Sequence, residues 1–362
     1  MRILIDIGHP AHVHMFKCFA SEMQDKGHNV LFTCRDKEFE VNLLTKYGFH
    51  FVNFGKKANS RLGKVFDLIK FNWKEWRTAQ KFKPDIFLSH GSITASHVAW
   101  IMRKPSIAFE DTFNMEQIKL WKPFVTNILT SMYEHPLNSS KVIKYRGYNE
   151  LLYLHPNHFQ KDQTIFEKLN IKMGEKYVVL RFVSWNATHD KGHSGISYEN
   201  KCRAVEEFSK YAKVYISSEG ELPINLEKYR MPLSAENMHA VMANACLIFG
   251  ESATMVTEGV MLGVPGIYLD NTGRLYTYDI ELKYNMCFNY SESEDDQIKA
   301  IEKGVDLITN NTKDFITDTY KRLFEDNIDV TAFLVWFVEN YPQSATITRE
   351  NQNNSEFWKQ FK

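Results

Sequence analysis

The sequence predicts an α/β protein made of two domains, each built around a parallel β-sheet. Strand and helix patterns alternate along most of the chain, weaken once over residues 136–165, and then restart. At 362 residues the chain is also too long for one ordinary hydrophobic core. Strands that alternate with helices through short connections form βαβ units, whose sheets bind ligands at the carboxyl ends of their strands.

The elements of the first half follow from short apolar runs and from helical spacing. The runs predict five strands, at residues 2–8, 29–35, 49–55, 85–91 and 105–111. Helical spacing predicts helices between them, at residues 13–27, 38–48, 61–83 and 94–103. We therefore assign residues 1–155 to an amino-terminal Rossmann-like domain, and we expect a late helix, residues 327–341, to join it.

The second half repeats the alternation. Its predicted strands lie at residues 176–184, 213–219 and 246–252, and its predicted helices lie at residues 199–212 and 234–245. We assign residues 165–326 to a carboxy-terminal Rossmann-like domain. Residues 343–362 are polar, and we expect them to form a loose tail.

The composition excludes several classes of partner. Lysine plus arginine and aspartate plus glutamate each total 44, so no global field favours nucleic acid or anionic membranes. Asp6 interrupts the first apolar run, no cleavage pattern follows, and no run approaches the roughly 20 residues that span a bilayer. Five scattered cysteines show no metal-type pairing. These features predict a globular cytoplasmic protein that binds no nucleic acid.

The most informative stretch is GESATMVTEGVMLGVPG, residues 250–266, which follows an apolar strand. Small residues lead into a helix that we expect to begin near Thr254, where backbone N–H groups and the helix dipole could bind a phosphate. Glu258 lies one turn further on nearly the same face, where it could accept ribose hydroxyls. A capped helix with a solvated Glu258 explains the spacing equally well. The candidate residues are Glu251, Ser252, Ala253, Thr254 and Glu258.

Two resemblances extend this interpretation. The run SAENMHAVMANACLIFGESATMVTEGVMLGVPGIYLD resembles the nucleotide-sugar signature of GT-B-type glycosyltransferases and of non-hydrolysing UDP-N-acetylglucosamine 2-epimerases. The segments DIGHPAHVHMFK, FTCRDKEFEVNLLTKYGFHFVNFGKK and YRGYNELLYL more closely resemble an uncharacterised bacterial family of the same superfamily, domain of unknown function 354. The resemblance implies two facing Rossmann-like domains of the GT-B type with an interdomain cleft. It also implies that the second domain binds the donor through Glu258.

Three histidines follow the first predicted strand in GHPAHVH, and we place them at its carboxyl end. A neutral imidazole there can take a proton from an acceptor hydroxyl or contact a phosphate, and we favour such a role for His9 or His12. The alternative is that the histidines cap the first helix or face solvent. No acidic ligand is spaced with them, so we predict no metal site. The candidates are Gly8, His9, His12 and His14.

Two later strand ends carry the remaining candidates of the first domain, His90 with Gly91 and Glu110 with Asp111. Adjacent acids can hold sugar hydroxyls or act as a base when desolvated, or they can form a solvated turn. The resemblance to the epimerases places a catalytic carboxylate at Glu110, with a second, weaker match further on at residue 116.

The epimerase resemblance breaks at the first strand end. The epimerases' opening Gly-Thr-Arg-Pro-Glu is replaced by Gly8, His9, Pro10, Ala11 and His12. Because the arginine is missing, the sequence argues against epimerase chemistry.

Further strand ends complete the predicted donor site. We expect Arg181 and Ser184 to contact the diphosphate, while Trp185 either stacks on a base or packs in the core. The related families place nucleotide contacts at the end of the next strand and on the following helix. Those positions correspond to Ser218, Glu219 and His239.

Residues 61–83, RLGKVFDLIKFNWKEWRTAQKFK, contain seven basic and two acidic residues interleaved with aromatic ones. A basic, aromatic helix could lie peripherally on the inner face of a membrane that carries a lipid-linked acceptor. A core helix with a solvated basic face is the simpler explanation.

These features favour a metal-independent glycosyltransferase that uses a nucleotide sugar, UDP-linked by resemblance, as substrate and needs no cofactor. The acceptor, a sugar or a lipid-linked molecule, is not identified by the sequence. The alternatives are an epimerase or nucleotide-sugar hydrolase and a non-catalytic nucleotide-sugar-binding protein.

Overall fold

The computed structural model describes residues 1–36, 39–56, 61–183, 194–218, 220–310 and 313–362. The chain divides into two compact units. Unit 1 comprises Met1–His158 and Asn327–Lys362, and unit 2 comprises Phe159–Asp326.

Twelve strands are assigned within the described residues. They are β1 Arg2–Asp6, β2 Asn29–Cys34, β3 Phe51–Asn53, β4 Ile86–His90, β5 Ser106–Phe109, β6 Asn127–Ser131, β7 Val142–Tyr145, β8 Tyr177–Phe182, β9 Lys213–Ser218, β10 Leu247–Gly250, β11 Gly266–Leu269 and β12 Cys287–Tyr290.

Seventeen α-helices are assigned within the same residues, besides 3₁₀ turns at Lys122–Phe124 and Ala235–Asn237. They are α1 Pro10–Asp25, α2 Glu40–Lys46, α3 Arg61–Phe82, α4 Ile93–Ile101, α5 Met115–Trp121, α6 Leu151–Leu154, α7 Ile165–Lys168, α8 Tyr198–Ser209, α9 Ile224–Glu227, α10 Met238–Asn244, α11 Ala253–Met261, α12 Leu275–Tyr284, α13 Glu294–Asn310, α14 Lys313–Asp326, α15 Val330–Glu339, α16 Gln343–Glu350 and α17 Ser355–Lys359. Among these helices, none combines the length and the apolar character needed to cross a bilayer.

The sheet of unit 1 is parallel, with the strand order β3-β2-β1-β4-β5-β6-β7. The order reverses between β1 and β4, which pair from Ile3 with Ile86 to Asp6 with Ser89. In open α/β sheets, such a reversal leaves a crevice at the carboxyl ends of the two strands, where ligands bind. The loops after β1 and β4 therefore define the functional edge of unit 1.

The sheet of unit 2 is also parallel, with the order β12-β11-β10-β8-β9. Its reversal lies between β8 and β10, which pair from Val178 with Leu247 to Arg181 with Gly250. The turn that follows β10 is the stretch that the sequence singled out. Each unit is thus a Rossmann-like sheet with helices in its crossovers, as predicted.

The sequence did not predict two strands of unit 1. These strands, β6 and β7, extend its sheet, and β7 lies in the segment where the alternation weakens. Only Ile143 and Tyr145 of the four residues of β7 are buried, since it is the edge strand, so it lacks a continuous apolar run.

The expectation of a loose tail is wrong. Residues 343–362 form α16 and α17, and Trp358 and Phe361 are 0% and 4% exposed. Their ring centroids lie 5.5 and 5.4 Å from that of Phe333 on α15. A few aromatic side chains in a polar sequence are enough to anchor the segment in the core.

The chain leaves unit 1 and returns to it at adjacent points. Asp329 follows the return, and its carboxylate accepts hydrogen bonds from Asn157 (2.9 Å) and lies 2.8 Å from Nε2 of His158. Unit 2 is therefore inserted between two backbone positions that side chains tie together.

Candidate active site

The loop after β1 places two of the predicted histidines at the switch point of unit 1. His9 is the N-cap of α1, and its Nδ1 accepts the N–H of Ala11 at 3.2 Å. Nδ1 of His12 accepts the N–H of Gly8 at 3.3 Å. Because Nδ1 is the acceptor in both rings, the neutral form of each carries its proton on Nε2 and presents a donor there. The capping alternative thus holds for His9.

His14 does not belong to this group. The helix α1 begins at Pro10, so His14 lies more than one turn inside it and is 8% exposed. Its Nδ1 is 3.3 Å from the hydroxyl of Tyr47, and its ring lies 6.0 Å from that of Tyr153. The helical turn directs His14 toward α2 and α6, away from His9 and His12.

The turn after β4 holds a histidine–carboxylate pair. Nε2 of His90 lies 3.0 Å from Oδ1 of Asp111, which follows β5. Burial alone disfavours the charged ring, but Asp111 outweighs it and raises the pKa of His90 to about 9. The His90 ring is 4.7 Å from the His12 ring. The structure thus brings His12, His90 and Asp111 together.

Two residues that the sequence did not indicate hold Asp111 in place. The side-chain amide of Asn149 donates to Oδ2 of Asp111 at 2.5 Å, and Tyr145 donates its hydroxyl proton to Oδ1 of Asn149 at 2.5 Å. The contact joins positions 38 residues apart, so no local spacing signals it.

Glu110 lies beside this pair and is 4% exposed. Its Oε1 accepts three hydrogen bonds, from the N–H and the hydroxyl of Thr112 and from the N–H of Phe113, at 2.7–2.8 Å. Burial raises the pKa of Glu110, although His90 opposes the shift. Its Oε2 faces Gly91, because a Cβ on Gly91 would lie 3.4 Å from that oxygen.

The weaker epimerase match, Glu116, lies apart from this group. It is exposed in the first turn of α5, where its N–H donates to the capping side chain of Asn114 at 3.2 Å.

A buried ionic cluster around Asp6 lies at the carboxyl edge of the unit 1 sheet. Asp6 is 1% exposed and accepts hydrogen bonds from Thr33 (2.9 Å), Arg35 and Ser92. Ser92 also caps α4, since its Oγ accepts the N–H of Ala95 at 3.2 Å. Asp6 thereby fixes the start of α4 against β1 and β2. The sequence showed Asp6 only as an interruption in an apolar strand.

In unit 2, the turn after β10 leads into α11, which begins at Ala253, one residue before the expected start. Ser252 is the N-cap, and its Oγ accepts the N–H of Met255 at 3.4 Å. The N–H groups of Ala253 and Thr254 lie in the first turn, where no intrahelical acceptor exists. They point out of the helix start, as an anion site requires.

Gly250 is required at the end of β10. Its φ is +148°, and a Cβ there would lie 2.1 Å from the carbonyl oxygen of Arg181 on β8. The same carbonyl accepts the N–H of Glu251 at 3.0 Å. Close approach of the two strands thus sets the direction of the turn.

Two predicted donor ligands form a pair beneath this turn. Nε2 of His239 on α10 lies 2.9 Å from Oε1 of Glu258 on α11, and their side chains are 10% and 6% exposed. From the sequence we expected each of them to contact ribose or phosphate, but no pattern connected the two side chains. Glu236, three residues before His239, lies in the 3₁₀ turn Ala235–Asn237 and is exposed, whereas His239 is buried.

The side chain of Glu251 faces inward. Its two carboxylate oxygens accept the N–H groups of Val183 and Ile196 at 2.7 and 2.6 Å. Any contact of Glu251 with a ligand therefore comes from its backbone, and its carboxylate joins Val183, next to the end of β8, to Ile196.

The remaining predicted donor ligands are only partly described. NH1 of Arg181 donates to Oγ of Ser217 at 3.0 Å, and Oγ of Ser218 accepts the N–H of Gly220 at 3.3 Å. Both lie at the carboxyl edge of unit 2. Ser184, Trp185 and Glu219 lie outside the described residues.

Two further buried acids at this edge were not predicted. Oε2 of Glu292 accepts the N–H groups of Ser194 and Gly195 at 2.7 and 2.8 Å. Oδ1 of Asp270 accepts the N–H and the hydroxyl of Thr272, both at 2.6 Å, and the N–H of Gly273 at 2.9 Å. Burial opposes ionisation of Asp270, but these donors outweigh it and lower the pKa of the carboxyl. Within the described residues, no group of three His, Cys, Asp or Glu side chains could hold a metal ion.

Solved structures of two enzyme classes share this fold. The UDP-GlcNAc 2-epimerase from Neisseria meningitidis bound to UDP-GlcNAc is 16% identical, with 90% of this chain and 99% of that chain covered and a TM-score of 0.63. The S. aureus MnaA–UDP structure is 12% identical, with 95% and 97% covered and a TM-score of 0.65. The spinosyn rhamnosyltransferase SpnG with thymidine diphosphate is 11% identical, with 94% and 100% covered and a TM-score of 0.60.

These likenesses define the class of the fold: two Rossmann-like domains, as in GT-B glycosyltransferases and UDP-N-acetylglucosamine 2-epimerases. Residues 1–328 match the family described as Protein of unknown function (DUF354), and the chain belongs to that family. No curated protein matches the sequence.

Proposed function

We propose that the protein is a metal-independent glycosyltransferase that transfers a sugar from a UDP-linked donor to an acceptor hydroxyl. We place it in cytoplasmic synthesis of cell-surface polysaccharide or another glycoconjugate, with a sugar or lipid-linked acceptor. The observation that carries the proposal is the buried Glu258–His239 pair, one turn inside the start of α11 at the switch point of unit 2. Structures of the same fold with UDP, UDP-GlcNAc and thymidine diphosphate support a nucleoside diphosphate there.

Unit 2 binds the donor in this proposal. The N–H groups of Ala253 and Thr254 and the positive end of the α11 dipole hold the diphosphate, with Arg181 as the nearby cation. Glu258 accepts the ribose hydroxyls, and His239 keeps its carboxylate oriented through the 2.9 Å contact. Fixed backbone donors then stabilise the charge that develops on the leaving diphosphate.

Unit 1 supplies the base, and of the three candidates the geometry favours Glu110 over His9 and His12. The neutral rings of both histidines present an N–H donor at Nε2, whereas Oε2 of Glu110 is a carboxylate oxygen, and burial raises the pKa of this carboxyl and so makes it a stronger base than an ordinary carboxylate. The proton of the acceptor hydroxyl passes to Oε2 of Glu110 as the oxygen attacks the anomeric carbon. The bond from that carbon to the diphosphate breaks, and its electron pair leaves with UDP.

A UDP-N-acetylglucosamine 2-epimerase is the second candidate. It is favoured by the position of Glu110 and by the fold shared with epimerase structures. Asp111, the neighbouring acid, is however held by His90 and Asn149, which leaves Glu110 as the carboxylate available for proton abstraction.

Calorimetric titration with UDP tests the donor site. We expect Glu258→Gln to weaken UDP binding by about 10- to 100-fold, because it removes hydrogen bonds to a charged acceptor. Glu236→Gln, a change of the same type at the exposed end of the preceding turn, is the matched control. Unchanged UDP affinity in a folded Glu258→Gln protein would refute this placement.

Incubation with UDP-N-acetylglucosamine alone separates the enzyme classes. Conversion without an acceptor supports the epimerase or hydrolase, whereas inertness followed by turnover with an added acceptor supports transfer. Binding without turnover under every condition supports a non-catalytic binding protein, and Glu110→Gln would then leave UDP binding unchanged.

A further inference from the structure

The helix α3 presents an apolar face to solvent in addition to the face that it buries. Its buried side carries Phe71, Glu75 and Ala79, which are 3%, 0% and 0% exposed. Four large side chains lie on the outer side at helical spacing and are 38–71% exposed. They are Phe66, Ile69, Trp73 and Trp76. The outer side of this core helix is therefore more apolar than a solvated basic face requires.

The polar part of this outer side is basic. The exposed residues Lys70 and Arg77 lie beside the apolar ones, and the guanidinium of Arg77 is 4.9 Å from the centroid of the Trp73 ring. Of the acids in the segment, Glu75 is fully buried, and Asp67 has a side chain only 14% exposed that lies 3.8 Å from Nζ of Lys70. We call Phe66, Ile69, Lys70, Trp73, Trp76 and Arg77 the α3 outer face.

The roll of α3 about its axis is fixed, so this face cannot turn into the core. Oε1 of Glu75 lies 3.3 Å from the hydroxyl of Thr33, which also donates to Asp6. On another side, Nδ2 of Asn72 lies 3.3 Å from Nδ1 of His97 on α4. The exposure of the tryptophans is thus imposed by polar anchors inside unit 1.

We propose that the α3 outer face docks on the surface of a bilayer that contains anionic phospholipid. Tryptophan and phenylalanine side chains on one helical face partition into the boundary between headgroups and acyl chains. Lysine and arginine between them attract anionic headgroups, each worth about a fivefold gain in binding. An exposed apolar patch with basic residues beside it, in a segment whose two acids are largely or fully buried, matches this chemistry, although the whole chain has no net charge. The proposal stands independently of the proposed function.

Vesicle flotation of the full chain is the direct test. We expect the protein to float with vesicles of phosphatidylcholine and phosphatidylglycerol at low salt, to be released by high salt, and to stay behind with phosphatidylcholine alone. Lys70→Gln with Arg77→Gln should weaken binding roughly 30-fold, because two basic charges are lost. Trp73→Ser should also weaken binding and reduce the blue shift of tryptophan emission on vesicle addition.

Matched controls come from unit 2. Ile224→Ser removes a side chain that is 96% exposed, and Lys321→Gln removes a lysine whose side chain is 76% exposed. Both should bind vesicles like the unaltered protein. All the altered side chains are at least partly exposed, so thermal melting should show that each variant folds.

Three results would overturn the proposal. One is absence of flotation with anionic vesicles at low salt, and another is unaltered binding by the Lys70/Arg77 variant. The third is a dimer in sedimentation velocity that Trp73→Ser converts to a monomer without changing vesicle binding, since the face would then be covered by a second copy of the chain.

Discussion

The turn after β4 in unit 1 and the turn after β10 in unit 2 occupy equivalent positions in their sheets. Each lies at the switch point of its sheet and leads into a helix that a serine caps, Ser92 or Ser252. In unit 1 the two residues before the serine are an ionisable residue followed by a glycine. In unit 2 the glycine comes first and the ionisable residue follows it. The two pairs are His90-Gly91 and Gly250-Glu251.

The exchange changes what each turn can do. In unit 1 the ionisable side chain stands on the last strand residue, where it pairs with Asp111 from the next strand. In unit 2 the glycine stands there, so the backbone approaches β8 closely, and the carboxylate of Glu251 accepts the N–H of Val183 instead of facing a ligand. The first turn thus carries a histidine paired with an acid, whereas the second presents the backbone amides at the start of α11.

The two units also differ at the ends of the neighbouring strands, β5 in unit 1 and β11 in unit 2. Glu110 and Asp270 each accept a threonine N–H, the hydroxyl of that threonine and the next N–H. Yet burial raises the pKa of Glu110, while the hydrogen bonds outweigh burial and lower the pKa of Asp270. The same set of hydrogen bonds therefore does not determine the pKa of a carboxyl by itself, because burial and nearby charges also shift that pKa.

Alanine in place of each glycine should produce the largest difference between the turns. Gly250→Ala places a Cβ 2.1 Å from a backbone carbonyl oxygen, so we expect a loss of about 3–5 kcal/mol in unfolding free energy. Gly91→Ala, at φ +55°, meets two side chains and no backbone atom, Trp121 at 3.2 Å and Glu110 at 3.4 Å, and should lose about 1–2 kcal/mol. Urea denaturation measures both, and equal losses would contradict the contrast.

The His90–Asp111 pair should make stability depend on pH in the alkaline range. The folded pKa of about 9 lies above the usual 6.5, so the contribution is complete below about pH 6.5 and is lost as the pH rises to about 9. The advantage over His90→Gln should fall by about 3 kcal/mol across that range. Denaturation at a series of pH values measures it.

A constant difference between the unaltered protein and His90→Gln across this pH range would rule out the His90–Asp111 ion pair as the cause.

The smallest effect should separate Glu110 from Asp270. Thr272→Val removes a hydroxyl that stabilises ionised Asp270 and should cost about 1.5 kcal/mol at neutral pH. Because the pKa of Asp270 is lowered, this contribution is present above the unfolded pKa and is lost as the pH falls through the folded one.

Thr112→Val is the matched variant for unit 1 and should cost about 1 kcal/mol where Glu110 is ionised. Because the pKa of Glu110 is raised, this cost should disappear at a higher pH than the cost of Thr272→Val. Denaturation near neutral pH and near pH 4 would compare them. Equal acid dependence in both variants would show that the two carboxyls do not differ.

The sequence predicted the fold and the placement of most candidate residues, because parallel strands bring their carboxyl ends to one edge. His90 and Asp111 meet for this reason, as do the turn at Ser252 and the Glu258 carboxylate beneath it. Pairings within a βαβ unit follow from local order, and local order is what hydrophobic periodicity reports.

Pairings across the fold could not be predicted. Asn149 bonds to Asp111 from the turn after β7, a strand whose apolar pattern is too short to recognise. The side chain of Glu251 points inward and accepts backbone N–H groups that are distant in sequence. Nor could spacing show that His14 points away from His9, since that depends on where α1 begins. These outcomes depend on packing, which a one-dimensional pattern does not contain.

The insertion of unit 2 between His158 and Asn327 has a consequence for biosynthesis. A ribosome completes all of unit 2 before it makes the helices that finish unit 1, including the buried Trp358. Part of the apolar surface of the seven-stranded sheet therefore stays uncovered while the inserted domain emerges from the ribosome and folds. Asp329 then closes the gap by joining Asn157 and His158, so the first domain to begin is the last to be complete.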